Sequence, residues 1–319
     1  QPMIELIVGE TADSFISVST EDEADFLEEM RKDERVDRSY LFHQTEVRHV
    51  GHLALNAIVI DDGRNLNNQN LCIEGRFPKY ENEMLIGARY AAEQKLEVGD
   101  KITMTAEGKE ADFIICGFTQ TSNYLGKDCL MLRSGYERMG KMLIVTYYST
   151  VRDDVDVDAF HEDIVERLKD RVLRTVNVRE VIDGTASVYV SVITVIVIAI
   201  LAVIVFVLYL LVRTLLTGKR RDYKILKSLG YTTGQLILQT AASFMPAIIL
   251  SAFIGMIVSA AVMNPIIALF LKGIGMVRCT FDVPLEFIGV SYILLVLAAF
   301  LFACLMSLRI RKKDFLHPF

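Results

Sequence analysis

The side chains best suited to chemistry in this chain are few and scattered. His49-Val50-Gly51-His52 offers two imidazoles, but the run is too short and solitary for a zinc site, and no H-E-x-x-H helix accompanies it. Asp154-Val155-Asp156-Val157-Asp158 has the opening rhythm of a calcium loop, yet Ala159 stands where the glycine belongs and Val165 where the bidentate glutamate should be. Acidic residues at a helix start, favoured by the macrodipole, account for it better. The five cysteines, Cys72, Cys116, Cys129, Cys279 and Cys304, are odd in number and unpatterned, so they imply no disulfide framework. No G-x-x-x-x-G-K-[ST] occurs, so a nucleotide phosphate has no P-loop to sit in and ATP is not hydrolysed by this chain alone. A nucleophile with a base beside it is equally absent, which leaves a membrane hydrolase the weakest class. The expectation is no catalytic residue, no metal, no cofactor and no nucleic-acid partner.

The most patterned stretch is KRRDYKILKSLGYTTGQL, residues 219–236. At 100° per residue with Tyr223 at zero, Ile225, Leu226 and Leu229 fall near 200–300°, whereas Arg220, Arg221, Lys224, Lys227 and Ser228 fall near 40–160°. Only Asp222 breaks the segregation. Gly230 supplies a stop, and Thr232 or Thr233 can cap the next helix. Taken alone, such a helix lies on anionic lipid, with its basic residues enforcing topology.

What must position this helix is a membrane. The chain has 319 residues, 52% of them hydrophobic, and a mean hydropathy of +0.35, too apolar for an ordinary soluble protein. Charge is split as well: residues 1–187 hold 22 basic and 36 acidic side chains, residues 188–319 twelve and four. An acidic soluble domain is thus joined to a basic membrane region. Val188 to Val212 is an uncharged run of 25 residues, against the ~20 that cross a hydrocarbon core. Further uncharged runs extend from Ser228 to Leu271 and from Phe287 to Leu308. Arg213, Lys219, Arg220, Arg221, Lys224 and Lys227 follow the first run, and Arg309, Arg311, Lys312 and Lys313 the third, so the positive-inside rule puts both clusters in the cytoplasm. Three crossings satisfy that: 188–212, 233–263 with a kink at Pro246 and a stop at Asn264-Pro265, and 287–308. Residues 1–187 and the loop 264–286 are then outside the cell, and 213–232 and 309–319 inside.

The outer half has the periodicities of an α+β domain. Thr20-Glu21-Asp22-Glu23 has capping-box spacing ahead of a helix whose Phe26, Leu27 and Met30 share a face. Strands are expected at Ser39–Phe42, Met142–Tyr148 and Val176–Val181, with a helix over Val157–Val172 striped by Phe160, Ile164 and Leu168. This is a split βαβ with an inserted small lobe, about 44–135, punctuated by turns at Asp61-Asp62-Gly63, Glu74-Gly75-Arg76-Phe77-Pro78 and Val98-Gly99-Asp100.

Within the second span Ser243, Ala247, Ser251, Gly255 and Ser259 recur every four residues and allow close helix approach. The row faces either the chain's own first or third helix or a second permease subunit. No span carries an interior charge, which argues against an ion pathway within this chain.

The unit Arg220-Arg221-Asp222-Tyr223-Lys224-Ile225-Leu226-Lys227-Ser228-Leu229-Gly230 resembles the cytoplasmic coupling helix of FtsX-like ABC transporter permeases, the family of the macrolide-exporter and lipoprotein-releasing types. Asp222 stands for a more usual Glu and Tyr223 for an aliphatic residue. The stretch GRFPKYENEMLIGARYAAEQKLEVGDKI, Gly75 to Ile102, is similar to that family's extracytoplasmic core, so the resemblance covers nearly the whole chain. It implies a permease subunit of the cell membrane, partnered by a separate ATP-binding cassette ATPase and by a second permease half or subunit, that exports or releases a substrate by mechanotransmission. It also implies that residues 220–230 are the ATPase-coupling site. The alternative class is a non-transport receptor or regulator that senses a ligand or controls an extracellular hydrolase. Family members open with a membrane helix before the outer domain, whereas this chain opens at Gln1-Pro2-Met3 in strand-like sequence without a signal peptide; the expectation is a piece of a longer permease, its C-terminal repeat.

Overall fold

A computed structural model describes residues 10–121, 123–218, 225–226, 228–273, 275–277 and 285–307. Of the coupling-helix residues, Arg220, Arg221, Asp222, Tyr223, Lys224 and Lys227 lie outside the described residues, as does the basic tail 309–319. The chain divides into two compact units, one of residues 1–187 with 267–279, the other of residues 188–266 with 280–319.

In the first unit, strands β1 (Ser14–Ser19), β2 (Val36–His49), β9 (Ile144–Val151) and β10 (Val172–Asn177) form an antiparallel sheet in the order β10-β1-β9-β2. Helices α1 (Glu23–Lys32) and α4 (Val157–Leu168) connect β1 to β2 and β9 to β10. This is the split βαβ pattern, and its stripes behave as spaced: Phe26, Met30, Phe160 and Ile164 are buried in one core with Ile16, Val18, Val145 and Tyr147. Each fully buried side chain of this size stabilises by about 1.5–3 kcal/mol.

The inserted lobe grows out of β2 itself. Residues 36–41 of that strand pair with β9, and residues 42–48 pair with β3 (Ala54–Ile60). Beyond β3 lie β8 (Asp128–Leu132), β5 (Glu83–Gly87), β7 (Lys109–Thr119) and β6 (Lys101–Ala106), and β6 pairs back onto β2 at Arg48 and His49. Those six strands run in a ring, with β4 (Cys72–Gly75) outside it against β7. Short helices α2 (Ala88–Gln94) and α3 (Arg133–Tyr136) follow β5 and β8. All three expected turns fall between elements or at their ends: Gly75 and Gly99 have φ of +82° and +102°, and Asp62 accepts the Arg64 N–H at 2.9 Å.

Three local expectations are overturned. Thr20 does not cap α1: its hydroxyl donates to Met142 O at 2.6 Å, Asp22 takes the cap position, and Glu23 is drawn off by Arg133 and Tyr147. Tertiary partners outcompete the local box. The strand expected at Val176–Val181 ends at Asn177, because the Asn177 side chain accepts the Glu180 N–H at 3.2 Å and starts a helix at Val178; the β-branched residues around it mask that cap in the sequence. The helix of the second span does not stop at Asn264-Pro265 but continues to Gly273 with both Pro246 and Pro265 inside it. Proline costs a helix one hydrogen bond, a loss that apolar helices of the membrane type tolerate.

The long helices are α5 (Val178–Gly218), α6 (Thr233–Gly273) and α7 (Leu285–Ser307). Two stretches, Val178–Val207 and Gly234–Gly273, are long and apolar enough to cross a membrane, and α7 contributes a shorter apolar stretch, Glu286–Phe302. Within the second unit, the Tyr292 hydroxyl of α7 donates to Ile249 O of α6 at 3.2 Å.

Candidate functional site

The turn joining the basic stretch to α6 is built by two complementary caps. Ile225 and Leu226 are helical; then the Tyr231 N–H reaches back to Leu226 O at 3.2 Å, across Gly230 at φ +95°. That six-to-one closure with a left-handed residue is a Schellman stop, and it requires glycine for its φ, since nothing lies within 4 Å of where a Cβ would be. Two residues later, Thr232 Oγ1 accepts the Gln235 N–H at 3.3 Å while Gln235 Oε1 accepts the Thr232 N–H at 2.9 Å. This reciprocal capping box opens α6. Ile225 and Leu229 are 53% and 71% exposed, and Leu226 is half-buried. The segment therefore presents aliphatic side chains on a rigidly terminated turn immediately before a candidate span.

The row Ser243, Ala247, Ser251, Gly255 and Ser259 is exposed along α6. Over the same stretch, 241–259, the described side chains that are partly or wholly covered are Ala241, Met245, Ile248, Ala252 and Met256. Ser251 Oγ donates to Ile248 O at 3.1 Å, and a Cβ on Gly255 would meet nothing within 4 Å.

In the first unit the sequence leaves three arrangements unread. At the start of α5, Arg179 Nε donates to Asp13 Oδ1 at 2.7 Å and its other nitrogens donate to Val155 O and Val151 O at 3.2 and 3.1 Å; Asp13 Oδ2 accepts the Val151 N–H at 2.9 Å and Asp13 O accepts the Val178 N–H. One arginine thus ties the first helical turn after β10 to both ends of the β9–α4 connection. Arg76 and Glu83 form a second clasp, with Glu83 also accepting the Lys79 N–H at 2.9 Å.

The third arrangement is a buried polar row across the ring: Asn56 on β3 opposite Asp128 on β8, and Gly87 on β5 opposite Thr119 on β7. A Cβ on Gly87 would stand 2.6 Å from Asp128 Oδ1 and 2.4 Å from Gly126 O, so only glycine leaves room there. Asp128 Oδ2 accepts the Thr121 hydroxyl at 3.0 Å, but Asn56 Nδ2, Thr119 Oγ1 and Asp128 Oδ1 have no hydrogen-bond partner among the described residues. Burial pushes the Asp128 carboxyl up to about 7. The only sequence signal for this row is an acidic residue opening an otherwise apolar strand.

His49 Nδ1 and the Tyr90 hydroxyl are hydrogen-bonded at 2.8 Å, and the His49 ring stacks on His52; His161 bonds Ser14 Oγ at 2.7 Å. Asp156 caps α4 through the N–H groups of Asp158 and Ala159, which is what the acidic run at 154–158 does. Among the described residues no group of three or more His, Cys, Asp or Glu could hold a metal ion.

The described residues thus form a mixed α/β domain followed by long apolar helices, two of them holding stretches long and apolar enough to cross a membrane. Residues 194–315 match the family described as FtsX-like permease C-terminal. No curated protein matches the chain. Among solved structures, the chain is similar to the periplasmic region of MacB from Actinobacillus actinomycetemcomitans, at 13% identity over 59% of this chain and 98% of that one, with a TM-score of 0.36. It is similar to a domain of a putative permease protein from Porphyromonas gingivalis, at 12% identity over 50% and 84%, TM-score 0.31. A third is the extracellular domain of the noncanonic ABC-type transporter YknZ from Gram-positive bacteria, at 9% identity over 51% and 100%, TM-score 0.36.

Proposed function

We propose that this chain is a permease subunit that turns nucleotide-driven movement of a separate ATPase into rearrangement of its outer domain, without hydrolysing ATP itself. Residues 220–230 dock on the ATPase. Helix α5, which continues from β10 without a linker, carries the motion, and the outer domain engages the substrate to be exported or released. The protein lies in the cell membrane with residues 1–187 outside and works beside a second permease half or subunit.

The observation that carries this reading is the doubly capped turn at 225–235. Ile225 and Leu229 stand clear of the rest of the chain on a turn fixed at both ends, where a partner can cover them. In a helix-in-groove interface Leu226 and Leu229 are the anchors, and truncating a buried leucine costs about 2–4 kcal/mol. The test is copurification of the ATPase with full-length protein at matched expression. Leu226→Ala with Leu229→Ala loses the partner while remaining in the membrane, and Lys224→Gln keeps it. If the leucine pair retains the ATPase while Lys224→Gln or Lys227→Gln loses it, electrostatic contact alone explains the segment and the coupling assignment fails.

A further inference from the structure

Tyr124 and Leu125 are neither glycine nor asparagine, yet both are left-handed, at φ/ψ of 51°/26° and 59°/34°, and Gly126 continues the conformation at φ +74°. A pair of bulky residues held this way persists only where its surroundings over-determine it. The effect here is to turn both side chains outward: Tyr124 is 62% and Leu125 53% exposed.

What over-determines the loop is the end of α6. Gly126 and Gly275 touch backbone to backbone, so closely that a Cβ on Gly126 would lie 2.7 Å from Gly275 Cα. Arg89 donates to Leu125 O at 3.2 Å and to Gly273 O at 2.6 Å, bridging the loop and the helix terminus. The Val277 N–H donates to Gln120 Oε1 at 2.9 Å, and Met276 is buried. All these residues belong to one compact unit. The loop is therefore fastened to the last residue of a candidate membrane span, Gly234–Gly273.

Resting on the membrane reading of α6, we infer that Tyr124 and Leu125 dip into the outer-leaflet interface of the lipid bilayer, at the boundary of headgroups and acyl chains. Three observations favour lipid as the occupant. The span is continuous with the patch: Leu269 and Phe270, one turn before Gly273, are 76% and 73% exposed, and side chains of that size at that exposure call for an apolar cover. A helix of 41 residues is about 60 Å long. Tilted by about 40° it rises about as far as a bilayer with its headgroups, which brings Gly273 to headgroup level. Finally, a tyrosine and a leucine flanked by Lys127 and Lys272 have the make-up of an interfacial anchor, the ring at the boundary and the ammonium groups among phosphates.

The chain contains no tryptophan, so one introduced indole reports one place. Three full-length variants in phospholipid vesicles, with and without brominated acyl chains, decide the matter: Tyr124→Trp, Tyr80→Trp in the 65%-exposed turn before β5, and Leu250→Trp in the middle of α6. Tyr124→Trp is expected to emit to the blue of Tyr80→Trp and to lose about half its emission to brominated lipid, as a ring a few ångströms deep would, while Tyr80→Trp is unaffected. Leu125→Trp gives a second reporter of the same loop should Tyr124→Trp misfold. Emission as in water, quenched by acrylamide and untouched by bromine, overturns the inference. So does a signal shielded from acrylamide yet untouched by bromine, which would mean a second copy or another protein covers the loop. If Leu250→Trp is not quenched by brominated lipid, the membrane reading itself is at fault; if it is quenched and the loop reporters are not, only this inference falls.

Discussion

Arg179 and Asp13 meet at 2.7 Å across 166 residues of chain, joining the first turn of α5 to the residue that precedes β1. The pair sits where β10 gives way to the long helix, so it stiffens that joint. Removing it should soften the joint without unfolding either side. Arg179→Gln is expected to lower the stability of the first unit by about 1.5–3 kcal/mol, the worth of hydrogen bonds to charged groups, or several degrees in thermal unfolding for a domain of this size. Because the two side chains are 30% and 20% exposed, the low end applies. Asp13→Asn should behave alike, and the double variant should cost little more than either single one. Additive losses in the three proteins would mean the two residues act separately.

Asp128 gives the domain a pH dependence of definite sign. Its carboxyl is raised to about 7 by burial, so below about pH 4 it is neutral folded and unfolded, and its environment costs nothing. Between pH 4 and 7 the unfolded chain ionises while the folded chain holds its proton, and stability drains away, leaving a penalty of a few kcal/mol above pH 7. His43, His49 and His161, all lowered by burial, act in the opposite sense on the acid side, so the informative quantity is a difference between proteins. Asp128→Asn should gain stability over the native protein as pH rises from 5 to 8, by about 2–3 kcal/mol in denaturant titrations. A constant difference across that range would show that the carboxyl does not titrate there.

How far the sequence reaches is shown by which partners are near in the chain. The stripes Phe26, Met30 and Phe160, Ile164 need only a period of 3.6 to be read, because both faces pack on the same sheet. Gly230 and Thr232 are legible as stop and cap, since their partners lie three to five residues away. Asp13 with Arg179, and Asp128 between Asn56 and Gly87, are not. Nothing local marks a carboxylate whose donor is 166 residues on, or an aspartate whose environment is assembled by four strands from three parts of the chain. The misread strand at Val176–Val181 and the misplaced stop at Pro265 share another cause: propensity gives way to a cap in one case and to an apolar helical run in the other.

The small-residue row on α6 yields a prediction that its exposure sharpens. Ser251 and Gly255 are exposed along the helix, while Ala252 and Met256, one position on, are partly covered. If the row meets a second permease subunit, Gly255→Leu or Ser251→Leu should hold the two apart and reduce dimer crosslinking, whereas Ile254→Phe, off the row and 52% exposed, should be absorbed by lipid. Native mass measurements in detergent would report the same ranking. Equal assembly for all three variants would leave the row without a partner.

Topology is the broadest claim, and cysteine labelling tests it with few assumptions. Cys116 and Cys129 are buried and Cys72 and Cys304 partly so, and the test uses a background in which all five cysteines of the chain are replaced. Into it go Glu81→Cys, in the exposed turn before β5, and Ser228→Cys, in the exposed turn between α5 and α6. On the proposed topology the basic cluster from Arg213 to Lys227 keeps the second position in the cytoplasm, since moving that many positive charges across the membrane opposes the positive-inside bias. On intact cells an impermeant thiol reagent should therefore label Glu81→Cys and miss Ser228→Cys, and permeabilisation should expose both. Labelling of both in intact cells would place the two turns on one side, and neither the outer position of residues 1–187 nor docking of 220–230 on a cytoplasmic ATPase would survive it.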